Sequence, residues 1–492
     1  MNAELRNRRR APPSGPVVVL AMIALVPALV LFAVWRWAVG QASTADPPPA
    51  TSTSVAPAPP APALATPLLS YRRAPAVLAR DVNLAGFEQA VAEYAGTLDA
   101  TSCVAVSLDG VAVGAAHADL PLIPASNQKL LTGAVALDVL GPEYRYTTEL
   151  RGPAPAEGVV GGDVYLVGGG DPLLTSSTYP VQNDKYPVTD PTSLDALADT
   201  LVAAGVTRID GAVLGDGSRY DDEYFAPSWS EDLHGIEAGP YDALLVNDGR
   251  VTGDDQRVGE PSQGAARELV LLLQARGVTV AGGPGTGTAP AGSELLGQVQ
   301  SAPMSAIVAE MMAASDNNTA ELVVKELGHH AGGGGTREAG LAVMSDTLTA
   351  WGLPGSVLAD GSGLSNDNRA SCATLLGVLA RHTPIDALGV GLPVAGESGT
   401  MEDVFADRPV AGRLRAKTGT LGNLPFNQDP PAVKSLSGYL PVDGGGTITF
   451  ALILNGSGPL NDQSTYRPIW NALADALASY PAGPSPAALA PR

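Results

Sequence analysis

The chain has 492 residues, 45% of them hydrophobic and 16% charged, which is typical of a globular protein and excludes a largely disordered one. This length leaves room for two or three domains with substantial hydrophobic cores. The formal net charge of −21 argues against nucleic-acid binding, because that function requires a basic surface.

The first 67 residues predict an exported protein that is anchored in a membrane. Residues 1–15 carry four arginines and are expected to stay in the cytoplasm. The uncharged run Val17–Trp35 would span roughly 28 Å as a helix, close to the thickness of a bilayer core. We therefore interpret residues 16–38 as a single-pass transmembrane signal anchor, with a cleavable signal and a secreted form as the alternative. Residues 39–67 are rich in Pro and Ala and predict an extended linker.

The rest of the chain combines helical and strand patterns, and the pattern changes in the middle. Residues 68–144 begin with a helix and a hairpin, and residues 301–481 add helices and three strands, the first at Gly412–Ala416. Both parts are predicted to form one domain. Residues 145–300 contain shorter strands and two helices, which predicts a smaller inserted α+β domain. Residues 482–492, rich in Pro and Ala, are predicted to be a disordered tail.

Lysine is rare in this chain, and two lysines lie in motifs that suit nucleophilic catalysis. Five of the 29 basic residues are lysines, namely Lys129, Lys185, Lys325, Lys417 and Lys434. Ser126 and Lys129 lie three residues apart at the start of a helical run, so their side chains can meet on one face. A serine nucleophile needs a base, and lysine becomes one only if burial and a nearby cation lower its pKa by about 3 units, which costs about 4 kcal/mol. We predict that Ser126 is the nucleophile, Lys129 its neutral base, and Lys417 the cation that lowers the pKa of Lys129.

Two further motifs follow in order, Ser315-Asp316-Asn317 and Lys417-Thr418-Gly419-Thr420. Each motif alone is weak, but the ordered set marks serine acyl-transfer enzymes. Ser315 can relay a proton to a leaving amine, and Asn317 can hydrogen-bond the substrate amide or Lys129. Lys417 and Thr418 suit recognition of a terminal carboxylate, and Gly419 belongs to the same substrate-binding segment. The backbone amides of Ser126 and Thr420 would form an oxyanion hole.

Other kinds of site are disfavoured by the sequence. The five histidines come with no G-x-S-x-G motif, which argues against a Ser-His-Asp hydrolase. The glycines at 168–170 lack the spacing of a nucleotide-binding loop. Neither Cys103 nor Cys372 has the spacing of a metal ligand, so no metal and no organic cofactor are expected. In an exported protein these cysteines form either one disulfide or two separate buried thiols, and both alternatives stay open.

With these motifs, the sequence resembles the D-alanyl-D-alanine carboxypeptidase/endopeptidase family, the class C low-molecular-mass penicillin-binding proteins. The resemblance covers roughly residues 80–480. It also includes Gly162–Pro172, Asp360-Gly361-Ser362-Gly363-Leu364-Ser365, and Leu392–Gly396 with Gly399-Thr400. It implies an α+β, transpeptidase/β-lactamase-like domain, an antiparallel sheet flanked by helices, with a domain inserted between Ser126 and Ser315.

The same resemblance implies a serine DD-peptidase on the cell-wall side of the membrane. It would cleave the D-Ala-D-Ala bond, or a D-D cross-link, of peptidoglycan stem peptides through an acyl-Ser126 intermediate. β-Lactam antibiotics would acylate the same serine. A β-lactamase-like hydrolase and an inactive peptidoglycan-binding scaffold are the alternatives, and the sequence does not separate carboxypeptidase from endopeptidase activity.

Several positions differ from the family pattern or take their roles from it. Asn366 stands where relatives often have an arginine that binds the diaminopimelate carboxylate, so we expect an amidated diaminopimelate here. Asp216 and Tyr220 align with a segment that in relatives contacts the substrate's side-chain amine. Residues 251–259 are too few to hold the nested domain of some relatives. Residues 423–433 are predicted to be an insertion at the mouth of the site.

Overall fold

The computed structural model describes residues 30–37, 74–179, 188–254, 256–422, 432–443 and 446–489. Contacts divide the chain into two units, Met1–Pro67 and Leu68–Arg492. In the first unit, residues 30–37 form a helix (α1), while the rest of the predicted anchor and the linker lie outside the described residues. Among the helices that can be described, none is both long and apolar enough to cross a bilayer.

The second unit contains the remaining helices and all the described strands. The helices are α2 (Ala74–Ala95), α3 (Gln128–Val139), α4 (Leu194–Ala203), α5 (Pro261–Ala275), α6 (Met304–Ala314), α7 (Asn317–Leu327), α8 (Arg337–Ala350), α9 (Cys372–Ala380), α10 (Ala387–Gly391), α11 (Gln463–Ala478) and α12 (Pro486–Leu489). The strands are β1 (Ser102–Leu108), β2 (Val111–Ala116), β3 (Thr147–Gly152), β4 (Val159–Val160), β5 (Val164–Val167), β6 (Leu174–Thr175), β7 (Thr192–Ser193), β8 (Arg208–Ile209), β9 (Val213–Asp216), β10 (Thr279–Val280), β11 (Gly285–Thr286), β12 (Glu294–Gln300), β13 (Arg415–Leu421), β14 (Ala432–Pro441) and β15 (Thr447–Gly456).

A five-stranded antiparallel sheet, in the order β13-β14-β15-β1-β2, separates two hydrophobic cores. Successive side chains of a strand point to opposite faces. In β15, Phe450, Leu452 and Leu454 therefore contact the core under α2 and α11. Ala451 and Ile453 contact the other core, which α3, α6, α7 and α9 cover. This sheet flanked by helices confirms the predicted fold class.

The segment between β3 and β12 builds its own sheets. One sheet has the order β11-β9-β5-β3-β12 and a second the order β10-β8-β4, and both pack with α4 and α5 around a third core. Strands β6 and β7 form a further, two-stranded sheet. Because β3 and β12 pair antiparallel, the chain leaves and re-enters the larger domain at neighbouring points. Contacts nevertheless join Leu68–Arg492 in one unit, so the domain limits 145 and 300 stay a prediction.

A loop of this segment returns to the larger domain and supports the site. Tyr220 and Trp229 share a small hydrophobic cluster with Leu322 of α7 and with Leu364. The inserted segment therefore packs against the helix and the loop that hold the motif residues.

Two details of the sequence-based prediction are wrong. The strand expected at Gly412–Ala416 begins at Arg415 and ends at Leu421, because cross-strand pairing with β14 continues through the motif. The tail is not wholly irregular, since Pro486–Leu489 form α12 and the Gly483 N–H donates to Asn83 Oδ1. Residues 490–492 and residues 423–431 of the predicted insertion lie outside the described residues. An isolated β-bridge joins Arg250, just before the short segment 251–259, to Arg257 within it.

Cys103 and Cys372 form a disulfide, which resolves the alternative that the sequence left open. Cys103 lies in β1 and Cys372 is the first residue of α9, and both are fully buried. The bond closes a loop with a sequence separation of 269 residues. It therefore ties the central sheet to the helical layer that contains α3.

Replacing both cysteines by alanine should lower the free energy of unfolding by about 2–4 kcal/mol, because the unfolded chain gains conformational freedom. Thermal unfolding followed by circular dichroism, with and without reductant, measures this change. The wild-type midpoint should fall on reduction, and the midpoint of the double variant should not respond. A wild-type midpoint that is unchanged after complete reduction would contradict the stabilising role.

Candidate active site

The start of α3 carries the Ser126 hydroxyl on a tight turn. Ala125–Asn127 form one 3₁₀ turn that leads directly into α3. Ala125 has a φ of +47°, a region that non-glycine residues rarely occupy and that stores backbone strain. A Cβ on Gly363 would lie 2.0 Å from the Ala125 carbonyl oxygen, so only glycine fits there. The strained turn is thus held by a loop that packs directly against it.

Strands β13 and β14 both contact the same turn. Asn127 Nδ2 donates to the Lys417 carbonyl at 3.1 Å, and Ser435 Oγ donates to the Pro124 carbonyl at 2.7 Å. A Cβ on Gly419 would lie 2.1 Å from Ser435 Oγ, so glycine permits this close approach. Gly419 therefore has a packing role in the motif, and its role in substrate binding stays a prediction.

Lys129 is fully buried, and its amine contacts three oxygen atoms. Nζ lies 3.1 Å from Ser126 Oγ, 2.7 Å from Asn317 Oδ1 and 2.7 Å from the Ser362 carbonyl oxygen. Burial lowers the pKa of Lys129 from 10.5 to about 8, although nearby carboxylates, Asp316 first among them, act in the opposite direction. A fall of that size corresponds to about 3 kcal/mol of environmental destabilisation of the ammonium form.

These three contacts fit a neutral amine as a base toward Ser126. Side-chain amide and peptide carbonyl oxygens can only accept, so Asn317 and Ser362 each take one N–H of Lys129. A neutral amine has two N–H groups and one lone pair. The lone pair then faces the only partner that can donate, the Ser126 hydroxyl, at the longest of the three distances. Deprotonated Lys129 is therefore oriented to remove the Ser126 proton.

Lys417 is the second buried lysine, and it holds Ser315. Its Nζ donates to Ser315 Oγ at 2.8 Å and to the Thr418 carbonyl at 2.7 Å. Burial and the charge of Lys129 lower the pKa of Lys417 well below its usual value. The sequence-based prediction attributed the low pKa of Lys129 to burial and to the charge of Lys417. The larger cause is burial, although repulsion between the two ammonium groups is mutual and disfavours charging both.

The turn between α6 and α7 presents Ser315 and Asn317. Ser315 ends α6 in a left-handed conformation, with a φ of 60°. Asp316 caps α7 by accepting a hydrogen bond from the Thr319 N–H, which fixes the turn. Asn317 then accepts from Lys129 through Oδ1 and donates through Nδ2 to the Glu237 carbonyl at 2.9 Å. One short turn thus supplies both motif side chains.

A buried acidic network holds the Ser362 carbonyl in place. Glu321 Oε1 accepts from the N–H groups of Gly361 and Ser362 at 3.0 and 2.8 Å. Burial and the charge of Asp360 raise the pKa of Glu321 to about 7. Asp360 Oδ2 accepts from Trp229 Nε1 at 2.8 Å, so the inserted segment helps to hold this loop. The network fixes the acceptor that orients the amine of Lys129.

A cleft of about 350 Å³ opens above these groups. Its lining includes five residues predicted from the motifs, namely Ser126, Ser315, Asn317, Thr418 and Thr420. Lys129 and Lys417 lie beneath this lining and reach it through Ser126 and Ser315. The structure therefore brings the three motifs together around one space. In the part of the chain that the structure describes, no cluster of His, Cys, Asp and Glu side chains could hold a metal ion.

Three residues with roles inferred from the resemblance do not line this cleft. Asp216 is buried, and its carboxylate accepts from the N–H groups of Ser218 and Ala289. The Tyr220 hydroxyl is buried and donates to Glu326 Oε2 at 2.7 Å. Both side chains are thus hydrogen-bonded within the fold, and substrate contact by Asp216 and Tyr220 stays a prediction. Asn366 follows the loop of Leu364, and its role stays a prediction.

Some residues of the cleft were not singled out from the sequence. Glu237 lines it from an exposed loop of the inserted segment, where no periodicity or motif marked it. Thr400 and Leu364 also line it, and Thr418 Oγ1 donates to Thr400 Oγ1 at 2.8 Å. Both lay inside stretches that carried the resemblance but had no assigned role. The presence of Leu364 and Thr400 in those stretches is the sequence signal from which a role in the site could have been predicted.

The chain matches known proteins over most of its length. The model of the D-Ala-D-Ala carboxypeptidase 3 (S13) family matches residues 98–257 and 251–480. A carboxypeptidase of Mycobacterium tuberculosis is 34% identical over 360 residues, which cover 69% of this chain and 73% of that protein. A D-alanyl-D-alanine carboxypeptidase of Actinomadura sp. is 30% identical over 424 residues, covering 69% of this chain and 74% of that protein. The chain belongs to the D-Ala-D-Ala carboxypeptidase 3 (S13) family.

A solved structure shares the fold. The crystal structure of penicillin binding protein 4 from Haemophilus influenzae superposes with a TM-score of 0.63 at 20% identity. The match covers 78% of this chain and 99% of that chain. The inserted segment and the larger domain are therefore both part of an architecture already observed.

The reactivity of Ser126 should rise with pH through about 8, because only the deprotonated form of Lys129 accepts its proton. The rate of modification by a sulfonyl fluoride, measured from pH 6 to 10, follows this change. The variant Glu321→Gln should shift the rise to lower pH, since it removes a carboxylate that raises the pKa of Lys129.

The control for this prediction is Glu268→Gln, which changes another buried carboxyl that hydrogen-bonds Ser176 and Thr252 in the inserted segment. The pH at the midpoint of its rate profile should equal that of the wild type. A flat wild-type profile, or a Glu321→Gln midpoint at or above the wild-type value, would contradict the assignment of the base.

Proposed function

We propose that this member of the S13 family is a serine D-Ala-D-Ala carboxypeptidase that acts on peptidoglycan stem peptides. The observation that carries this proposal is the contact of Lys129 with Ser126 and Asn317, with Lys417 held on Ser315 beside it. Three relatives at 30% identity or more are named carboxypeptidases, and one of them is named for D-alanyl-D-alanine. The complete set of three motifs disfavours an inactive binding scaffold.

The reactive form of the site has Lys129 neutral and Lys417 charged. Lys129 takes the proton of Ser126 as Oγ attacks the carbonyl carbon of the penultimate D-Ala. The backbone amides of Ser126 and Thr420 receive the negative charge that develops on the carbonyl oxygen. The C–N bond then breaks, and Ser315 gives its proton to the leaving amine while Lys417 replaces that proton.

The second half of the reaction restores both lysines. Water attacks the acyl-Ser126 ester and loses a proton through Ser315 to Lys417. Lys129 returns its proton to Ser126 Oγ as the ester bond breaks. The net change is one peptide bond and one water converted to a carboxylic acid and D-Ala. In this scheme the lysine pair carries one positive charge in the free enzyme and in the acyl-enzyme, and two only while a tetrahedral intermediate holds a negative charge on its oxygen. The repulsion that lowers the pKa of Lys417 favours its loss of a proton at that stage.

An endopeptidase activity uses the same chemistry on a D-D cross-link, because the same kind of bond breaks. A carboxypeptidase additionally requires a site for the free terminal carboxylate. The hydroxyl groups of Thr418, Thr420 and Thr400 around the cleft support such a site. The proposed location, with the site on the cell-wall side of a membrane anchored through residues 16–38, is supported by the sequence pattern alone.

Fluorescent penicillin should label the wild-type protein and not Ser126→Ala, since the drug acylates the nucleophile in place of the peptide. Lys129→Met should slow labelling by about a hundredfold or more, as expected for loss of a general base. Fluorescence in denaturing gels measures both effects. Thr449→Val, on the same sheet, is the control and should label normally.

The lifetime of this label separates the proposal from a β-lactamase. A carboxypeptidase should retain the acyl group for many minutes, whereas a β-lactamase should release it rapidly. An unlabelled wild-type protein, or full labelling of Ser126→Ala, would contradict the assignment of Ser126 as the nucleophile.

Asn366 is proposed to favour peptides whose diaminopimelate is amidated, because a neutral amide offers no charge for a free carboxylate. The wild type should turn over amidated stem peptides faster than the free acid. Asn366→Arg should reverse that order, since guanidinium pairs with carboxylate. Liquid chromatography of D-Ala release from both peptides measures the ratio, and a wild-type preference for the free acid would contradict the assignment.

A further inference from the structure

Lys434 is a buried lysine beside the cleft that the proposed mechanism does not use. It lies in β14 directly opposite Thr420 of β13, and it is only 6% exposed. Directly opposite residues of an antiparallel pair project from the same face, so their side chains are neighbours. Lysine is scarce in this chain, and a buried lysine beside a residue of the site therefore calls for a physical explanation.

The surroundings of Lys434 leave its charge largely uncompensated. Nζ lies 4.4 Å from the centre of the Tyr466 ring, whose face attracts a cation. Burial and the neighbouring Arg467 lower the pKa of Lys434 to about 8, so the ammonium form still dominates at neutral pH. In the ranges that the structure describes, no carboxylate lies within ion-pairing distance of Lys434. A nearby anion would therefore be stabilised by this charge.

The hydrogen bond of Lys434 determines what Thr420 can do. Nζ donates to Thr420 Oγ1 at 3.1 Å. An ammonium group has only donors, so Thr420 must accept here and its single hydroxyl hydrogen is left to donate elsewhere. The other threonine of the motif, Thr418, already donates to Thr400. Of these two threonines of β13, Thr420 is thus the one whose hydrogen remains for an acceptor in the cleft.

We propose that Lys434 is a positioning residue for the free terminal carboxylate of the substrate. It directs the Thr420 hydroxyl hydrogen into the cleft, and its buried positive charge acts on the carboxylate through that hydroxyl. The carboxylate then receives a hydrogen bond from Thr420, which donation from Lys434 polarises. This role rests on the proposed function, because a carboxypeptidase substrate ends in a carboxylate at this point.

The test compares an acylated tripeptide ending in D-Ala-D-Ala with the same peptide carrying a C-terminal amide. Lys434→Met keeps an unbranched side chain, one atom shorter, and removes the charge. It should lower kcat/KM for the free acid by about tenfold, mainly through KM, with a much smaller loss for the amide. The ratio of the two kcat/KM values should therefore fall by about tenfold. A purely structural role would lower both values together.

A double-mutant cycle tests whether Lys434 acts through Thr420. Thr420→Val should lower the same ratio, and adding Lys434→Met to it should change the ratio by less than about twofold. Thr449→Val is the matched control, because it removes a mostly buried threonine of the same sheet. Thr449 pairs with Tyr439, whereas Lys434 pairs with Leu454, so the control lies five positions along β15. For Thr449→Val, the ratio of kcat/KM for the free acid to kcat/KM for the amide should equal that of the wild type.

The outcomes separate this inference from the proposed function. A wild type that is labelled by penicillin and cleaves the free acid, with an unchanged ratio in Lys434→Met, overturns the role of Lys434 alone. Independent, additive effects of Lys434→Met and Thr420→Val also overturn it. A wild type that neither cleaves the peptide nor takes the label overturns the proposed function and this role together. Thermal midpoints of all variants show whether a loss reflects unfolding.

Discussion

The site depends on one physical constraint, a lysine amine buried among three oxygen atoms. Lys129 contacts a hydroxyl, an amide oxygen and a peptide carbonyl oxygen. Burying an ammonium group without a paired carboxylate is unfavourable, so its pKa falls and the neutral form becomes accessible. Each partner comes from a different part of the chain, and the base therefore exists only in the folded protein.

The surrounding structure serves to hold those partners. The strained turn at Ala125 presents Ser126, and close packing at Gly363 and Gly419 fixes the loop and the strand beside it. Trp229 of the inserted segment donates to Asp360 and so braces the loop that carries the Ser362 carbonyl. The inserted segment thus contributes to the chemistry through the geometry it imposes on Lys129. The second lysine, Lys417, donates a hydrogen bond to Ser315. Repulsion between Lys417 and Lys129 also disfavours the state in which both are charged.

The features that could be predicted from the sequence are those that depend on local spacing and on recognisable motifs. The Ser126–Lys129 pair, the Ser315–Asn317 turn and the class of fold follow from such patterns, and the structure brings these residues together. The sequence does not reveal contacts between residues that are far apart in the chain. Asp216 and Tyr220 align with a binding segment, yet their side chains are consumed by hydrogen bonds that no local pattern reveals. Glu237 reaches the cleft only through the path of an irregular loop.

The relative size of the effects that set the pKa of Lys129 also had to come from the three-dimensional structure. A sequence shows that two lysines exist, but burial depends on how α3, α7 and the loop of Ser362 close around the amine. The carboxylates of Asp316, Glu321 and Asp360 raise the pKa of Lys129, whereas burial lowers it. The same packing sets the distances from these carboxylates to the amine. The balance of these effects leaves a pKa near the upper end of the physiological range.

Because the chain has only five lysines, their titration can be observed directly. Labelling lysine Cε with carbon-13 gives one resonance for each lysine, and single replacements assign the signals in nuclear magnetic resonance spectra. The account predicts a pKa of about 8 for Lys129 and a value well below 10.5 for Lys417. A Lys129 resonance that titrates at or above 10.5 in the folded protein would contradict its assignment as the base.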